Sequence, residues 1–213
     1  MSITSDTFKT YYNYNKINEK TPIVFVHGIG LTNQIWDRQI KFFKNYNTIV
    51  YDLIGHGKTP LNKKQIIMKD FSEQLLKLLD ELKIDKIHLV GFSLGSLIAR
   101  DFASLHGNRL SSLTIFGTVY KRTEDEKRQI INRYEVMKKN KDISKKRALE
   151  RWFSEDFIKK NPAIYKKIYS MLEKNNHNIW LKVYKLFVYH EDDDVSIKQI
   201  NAKSLIITGE NDI

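Results

Sequence analysis

The sequence predicts an α/β fold with a mostly parallel sheet and flanking helices. Two observations carry this. Short runs rich in β-branched residues recur along the chain and are continuously apolar, as strands buried on both faces require. Amphipathic stretches at helical spacing lie between them, and alternating strand and helix is the pattern of a parallel sheet covered by helices. One segment, residues 119–190, breaks that rhythm with helical patterning and no strand. It is expected to be a helical cap inserted in a core made of 1–118 and 191–213.

The strands are expected in order at "FKTYYNY" (8–14), "PIVFVH" (22–27), "NTIVYD" (47–52), "IHLVGF" (87–92), "SLTIFG" (112–117) and "SLIIT" (204–208). Between the third and fourth, residues 68–84 place Phe71, Leu75, Leu78, Leu79 and Leu82 on one helical stripe. A second helix is expected over 93–107, with Gly107 as its C-terminal stop.

At 213 residues with 41% hydrophobic and 29% charged content, the chain can bury one sizeable core. It has no cysteine, which excludes a disulfide framework, thiolate zinc sites and a Cys nucleophile. No apolar run approaches the roughly 20 residues of a membrane span. The start, "MSITSDTFKT", lacks a basic region and an apolar core, so a cytoplasmic protein is the expectation.

The net charge of +11 raises the question of nucleic acid. Almost all of it falls in 119–190, where 19 Lys and Arg face 9 Asp and Glu. These charges are spread at helical spacing with acids among them, which describes a solvated helical face, and no nucleic-acid partner is expected. The competing reading, an interaction module for phosphates or an acidic membrane surface, would show steep weakening with salt.

Three motifs carry chemistry. "GFSLGS" (91–96) is a G-x-S-x-G pattern following an apolar strand and opening a helix, the setting that a nucleophile elbow needs. There Ser93 would occupy a strained turn, and Gly91 and Gly95 would prevent collisions across it. The alternative is a Ser helix cap after a strand. The Leu94 N–H is one candidate oxyanion donor, and the Ile29 N–H in the Gly-rich loop "HGIG" (27–30) is the second. His27 is read as a structural residue of that loop. "YDLIGHGKTP" (51–60) is a strand end followed by Gly-His-Gly, and no chemistry is assigned to His56.

HGIG followed by Trp36, then DLIGHGKT, GFSLGS and IITGEND at these intervals, resembles the α/β-hydrolase superfamily. "RWFSEDFIKKNP" (151–162) is similar to a cap stretch of the 3-oxoadipate enol-lactonase and carboxylesterase-like group. The resemblance implies Ser93 as nucleophile, Ile29 and Leu94 as oxyanion donors and Asp212 as the triad acid. It suggests Trp152 as a pocket or cap-anchor residue, with core packing as the alternative. Ile54 stands where that group often has Arg, and Ser96 where a third Gly is common.

In this superfamily the triad runs Ser, acid, His. The six histidines are His27, His56, His88, His106, His177 and His190, and none follows Asp212. The resemblance also implies a strand and helix after Asp212, so a C-terminally truncated member is expected. The expected function is a serine hydrolase of carboxylic ester or lactone bonds in small molecules, with little activity in the polypeptide as written. No metal or cofactor is implied. The alternative is a non-catalytic ligand-binding remnant of the same fold.

Overall fold

The computed structural model of the chain describes residues 1–192 and 197–210. Seven strands form one sheet in the order β1-β2-β4-β3-β5-β6-β7, where β1 is Ser2–Ile3, β2 Tyr11–Asn15, β3 Ile23–Val26, β4 Thr48–Tyr51, β5 Ile87–Phe92, β6 Leu110–Phe116 and β7 Ser204–Ile207. The five strands from β4 to β7 along the sheet run parallel, as the apolar runs predict, while β1 and β2 are antiparallel. β2 starts later than expected. The Asp6 carboxylate accepts the N–H of Phe8 at 2.8 Å, and Lys9 has a φ of +52°, so the chain turns before Tyr11.

Side-chain alternation divides the core between the two sheet faces. Val24, Val26, Ile49, Tyr51, Ile87 and Leu89 join a cluster with Phe71, Leu75, Leu78 and Phe102, which come from α2 (Met68–Glu81) and α3 (Leu94–Leu105). Phe25 and Val50 point the other way and bury Trp36, which lies just before α1 (Asp37–Phe42). The Phe25 and Trp36 ring centres are 5.0 Å apart.

Two helix ends differ from expectation. α2 stops at Glu81 because Lys83 adopts a left-handed φ of +55°. α3 ends at Leu105, and Gly107 opens a short 3-10 turn instead of forming a left-handed stop.

Between β6 and β7 lie α4 (Glu124–Lys139), α5 (Lys141–Trp152), α6 (Glu155–Lys160), α7 (Pro162–Glu173) and α8 (His177–Val188). α4 starts in a reciprocal cap, with Thr123 accepting from Glu126 N–H and the Glu126 carboxylate accepting from Thr123 N–H. Ile130, Tyr134, Val183 and Tyr184 of α4 and α8 are continuous with the main core. Among the described residues β7 forms the open edge, with Leu205, Ile206 and Ile207 exposed by 56%, 69% and 47%. No helix among the described residues is long and apolar enough to cross a membrane.

Candidate active site

β5 passes into α3 through a single residue, Ser93, at φ +54° and ψ −117°. A strand that turns into a helix with no intervening loop must compress its backbone, and Ser93 holds the strained conformation that results. The neighbouring glycines make room. A Cβ on Gly91 would lie 2.3 Å from the Gly95 carbonyl oxygen, and one on Gly95 would lie 2.3 Å from the Val26 oxygen. Ser93 N–H donates to the Phe116 carbonyl at 3.1 Å. The Ser93 carbonyl accepts the Ser96 N–H at 2.9 Å and the Ser96 hydroxyl at 2.5 Å, so Ser96 is a brace of the turn that the motif alone did not disclose. Ser93 is half-buried, and its hydroxyl has no hydrogen-bond partner among the described residues.

The loop after β3 packs directly on this turn, since a Cβ on Gly28 would sit 3.1 Å from Ser93 Cβ. Two buried histidines hold the loop. His27 Nδ1 lies 2.8 Å from the Gly28 carbonyl, and its Nε2 accepts the Leu53 N–H at 3.0 Å. His56 Nε2 accepts the Gly30 N–H at 3.0 Å, and its Nδ1 faces the Ile54 carbonyl at 3.1 Å. Each ring therefore carries its proton on Nδ1 and is neutral. Burial depresses both, His27 to about 4 and His56 to about 3. Neither has a ring nitrogen left for catalysis, in keeping with the structural reading of His27.

Asp52 and Gln74 complete the scaffold, and sequence reasoning missed both. The Asp52 carboxylate accepts Asn33 N–H at 2.8 Å, Asn33 Nδ2 at 2.7 Å and Lys58 N–H at 2.9 Å. Burial raises its pKa, partly offset by those donors. Gln74, buried on the apolar stripe of α2, accepts Ile54 N–H at 3.2 Å and donates to the Asp52 carbonyl at 3.0 Å. A polar residue on such a stripe was the available signal.

Ser93 and Ile29 line one cavity of about 790 Å³. Trp152, at the end of α5, lines it too and is 41% exposed. Leu94 is fully buried at the first position of α3. The N–H groups of Ile29 and Leu94 have no hydrogen-bond partner among the described residues. Asp212 lies outside the described residues. The C-terminal ends of β5, β6 and β7 are in register, Phe92 beside Phe116 and Phe116 beside Ile207, so the chain leaves β7 at the sheet edge that carries Ser93. Among the described histidines only His177 lines this cavity. Among the described residues no three His, Asp or Glu side chains gather to hold a metal ion.

Residues 21–213 match the family model described as alpha/beta hydrolase fold. The chain is 28% identical over 204 residues to (E)-2-((N-methylformamido)methylene)succinate hydrolase of Acinetobacter baylyi, covering 94% of this chain and 76% of that protein. It is 30% identical over 148 residues to 3-oxoadipate enol-lactonase 1 of the same organism, covering 68% of this chain and 54% of that one. Among solved structures, the enol-lactonase from Burkholderia xenovorans LB400 superposes with a TM-score of 0.84 at 19% identity, over 94% of this chain and 78% of that one. At that identity the likeness is one of fold.

Proposed function

The chain belongs to the α/β-hydrolase family, and we propose that it cleaves carboxylic ester or lactone bonds of small molecules with Ser93 as nucleophile. The observation that carries this is the elbow. Ser93 alone bridges β5 and α3 in a strained conformation and faces the same cavity as Ile29. Such strain persists only where surrounding structure enforces it, and here two glycines and the Ser96 brace do so.

In the proposed reaction the Ser93 oxygen attacks the carbonyl carbon while its proton passes to a base. The N–H groups of Ile29 and Leu94 stabilise the negative charge that develops on the carbonyl oxygen. The tetrahedral intermediate collapses, the alcohol leaves with the proton, and an acyl group remains on Ser93. Water, deprotonated by the same base, then attacks the acyl-enzyme and releases the acid. Asp212 orients and charge-stabilises that base. The helices of 119–190 act as a cap over the cavity and Trp152 contacts substrate. Activity on a lactone is supported by the likeness to 3-oxoadipate enol-lactonase 1 of Acinetobacter baylyi.

The base is the remaining part. His27 and His56 are committed to loop bonds, and His88 Nδ1 is 2.8 Å from the Ser112 hydroxyl. The proposal is that the base is a histidine oriented by Asp212, with His177, which lines the cavity beside Ser93, as the alternative. Loss of one triad member leaves about 10³–10⁴-fold over water from the oxyanion hole and binding. The second reading, a ligand-binding protein without turnover, draws on the unpartnered Ser93 hydroxyl. Hydrolysis of p-nitrophenyl butyrate separates them. We expect release that is lost in Ser93→Ala, both for residues 1–213 and for the same residues joined to a histidine-bearing segment of an α/β-hydrolase. Release indifferent to Ser93 in both forms would favour the second reading.

A further inference from the structure

The cavity that holds Ser93 is lined by more basic than acidic side chains. Arg122, Arg133, Lys145 and Arg151 line it against Glu126 and Glu150. Glu126 is engaged at its cap, where its carboxylate accepts the Thr123 N–H at 2.6 Å. The arginines are poorly matched by acceptors. Arg133, half-buried on α4, makes no hydrogen bond or ion pair among the described residues. Arg122 donates through Nη1 to the Phe187 carbonyl at 3.0 Å, but its Nη2 is enclosed without a partner among the described residues. Arg151 donates to the Arg147 carbonyl at 3.2 Å, an acceptor that carries no counter-charge.

All three arginines line this one cavity. Each acts on the phenol of Tyr184, whose pKa burial raises and whose neighbours Arg133, Arg151 and Arg122 pull back down. Burial lowers the pKa of Arg122 and of Arg151 and the charge of Arg133 adds to that in both, while Asp192 and Glu126 partly offset it for Arg122 only. An arginine does not escape such a site by losing its proton. Like charges gathered in partly desolvated surroundings are costly without a counter-charge, and a planar fork of N–H donors matches a carboxylate in two-point contact. Beside them, His177, Trp180, Tyr184 and Phe187 stack along α8 with ring centres 6.0, 4.8 and 6.1 Å apart. Arg122 lies over the last of these rings at 4.7 Å.

We propose that Arg122, Arg133 and Arg151 form a carboxylate-binding subsite, so that the ester or lactone taken by this cavity carries a second, anionic end. The subsite deepens the Ser93 reading and rests on it only for the reaction, since anion binding needs no nucleophile. The carbon chain between the two ends lies along the aromatic row of α8. Arg133 has the most to offer a ligand, because the other two already donate to backbone carbonyls.

Monomethyl suberate and methyl octanoate share an acyl length and differ in the terminal carboxylate. Their hydrolysis is compared for the 213-residue chain, Arg133→Gln, Arg151→Gln and Arg133→Lys. Binding of suberate is followed in parallel by the fluorescence of Trp152 and Trp180, including in Ser93→Ala. We expect the anionic ester to be preferred roughly 10- to 100-fold in kcat/KM, with the preference lost in Arg133→Gln and partly kept in Arg133→Lys. Suberate binding should weaken by the same factor in Arg133→Gln and stay unchanged in Ser93→Ala. Arg151→Gln, a surface substitution, reports the same loss in smaller measure if Arg133→Gln fails to fold. Equal rates on both esters, or suberate binding indifferent to Arg133 and Arg151, would overturn the subsite and leave Ser93 untouched. Arginine-dependent suberate binding with no Ser93-dependent hydrolysis would uphold the subsite and remove the nucleophile.

Discussion

His27 and His56 lie edge to face with ring centres 5.3 Å apart, and each accepts a backbone N–H from the loop that carries the other. His27 takes Leu53 N–H and His56 takes Gly30 N–H, so the loops after β3 and β4 are cross-braced. Gly30 follows Ile29 directly, which places the proposed oxyanion donor inside the braced segment. Both rings accept through Nε2, and protonation would turn each acceptor into a donor facing a donor.

That arrangement makes stability depend on pH. Both pKa values fall from an ordinary 6.5, to about 4 for His27 and about 3 for His56. The unfolded chain binds these protons near pH 6.5 and the folded chain resists them. The stabilisation is therefore full above pH 6.5 and is lost as pH falls toward 4 and then 3. For His27 it is on the order of 3 kcal/mol. Chemical denaturation at pH 7, 5.5 and 4.5 should show progressive loss, and His27→Gln should flatten that slope. A slope unchanged by the substitution would rule out the brace as its origin.

Gly91→Ala and Gly95→Ala should each destabilise severely, since the new methyl meets backbone oxygen at 2.3 Å. Gly107→Ala should be nearly neutral, because a methyl added there meets nothing within 4 Å. Thermal melts of the three variants check this contrast. Similar melting of all three would mean that the turn is looser than its geometry implies.

The strain at Ser93 gives a second contrast. Ser93→Gly should raise stability by about 1 kcal/mol, because glycine adopts the φ of +54° without penalty. Ser93→Ala should not, since it keeps the Cβ. Urea unfolding of both decides it, and equal midpoints would argue against stored strain.

β7 sets a prediction about association. An edge strand exposing Leu205, Ile206 and Ile207 is a template for pairing with another chain. The 213-residue polypeptide should self-associate in sedimentation, and Ile206→Lys should reduce this. A monodisperse monomer before substitution would count against it.

Much of this was legible because the decisive signals are local. Continuous apolar runs located the parallel strands, and Gly91, Ser93 and Gly95 between a strand and a helix marked the elbow. What stayed hidden depends on distant partners. The reciprocal bonding of His27 and His56 spans two loops, and the antiparallel β1 and β2 follow from a turn set by Asp6 and Lys9. Arg122, Arg133 and Arg151 sit among many basic residues at helical spacing, which describes a solvated face until α4, α5 and α8 pack around one cavity. Asp212, reached only through the resemblance, falls outside the described residues.

The most direct test of the central claim is to find where an acyl analogue lodges. The 213-residue chain and the histidine-extended chain are treated with a fluorophosphonate, digested with trypsin and analysed by mass spectrometry. Cleavage after Lys86 and Arg100 isolates Ser93 on peptide 87–100. The added mass is expected on that peptide, faster in the extended chain and absent from Ser93→Ala. Label on another peptide, or label that persists in Ser93→Ala, would contradict Ser93 as the nucleophile.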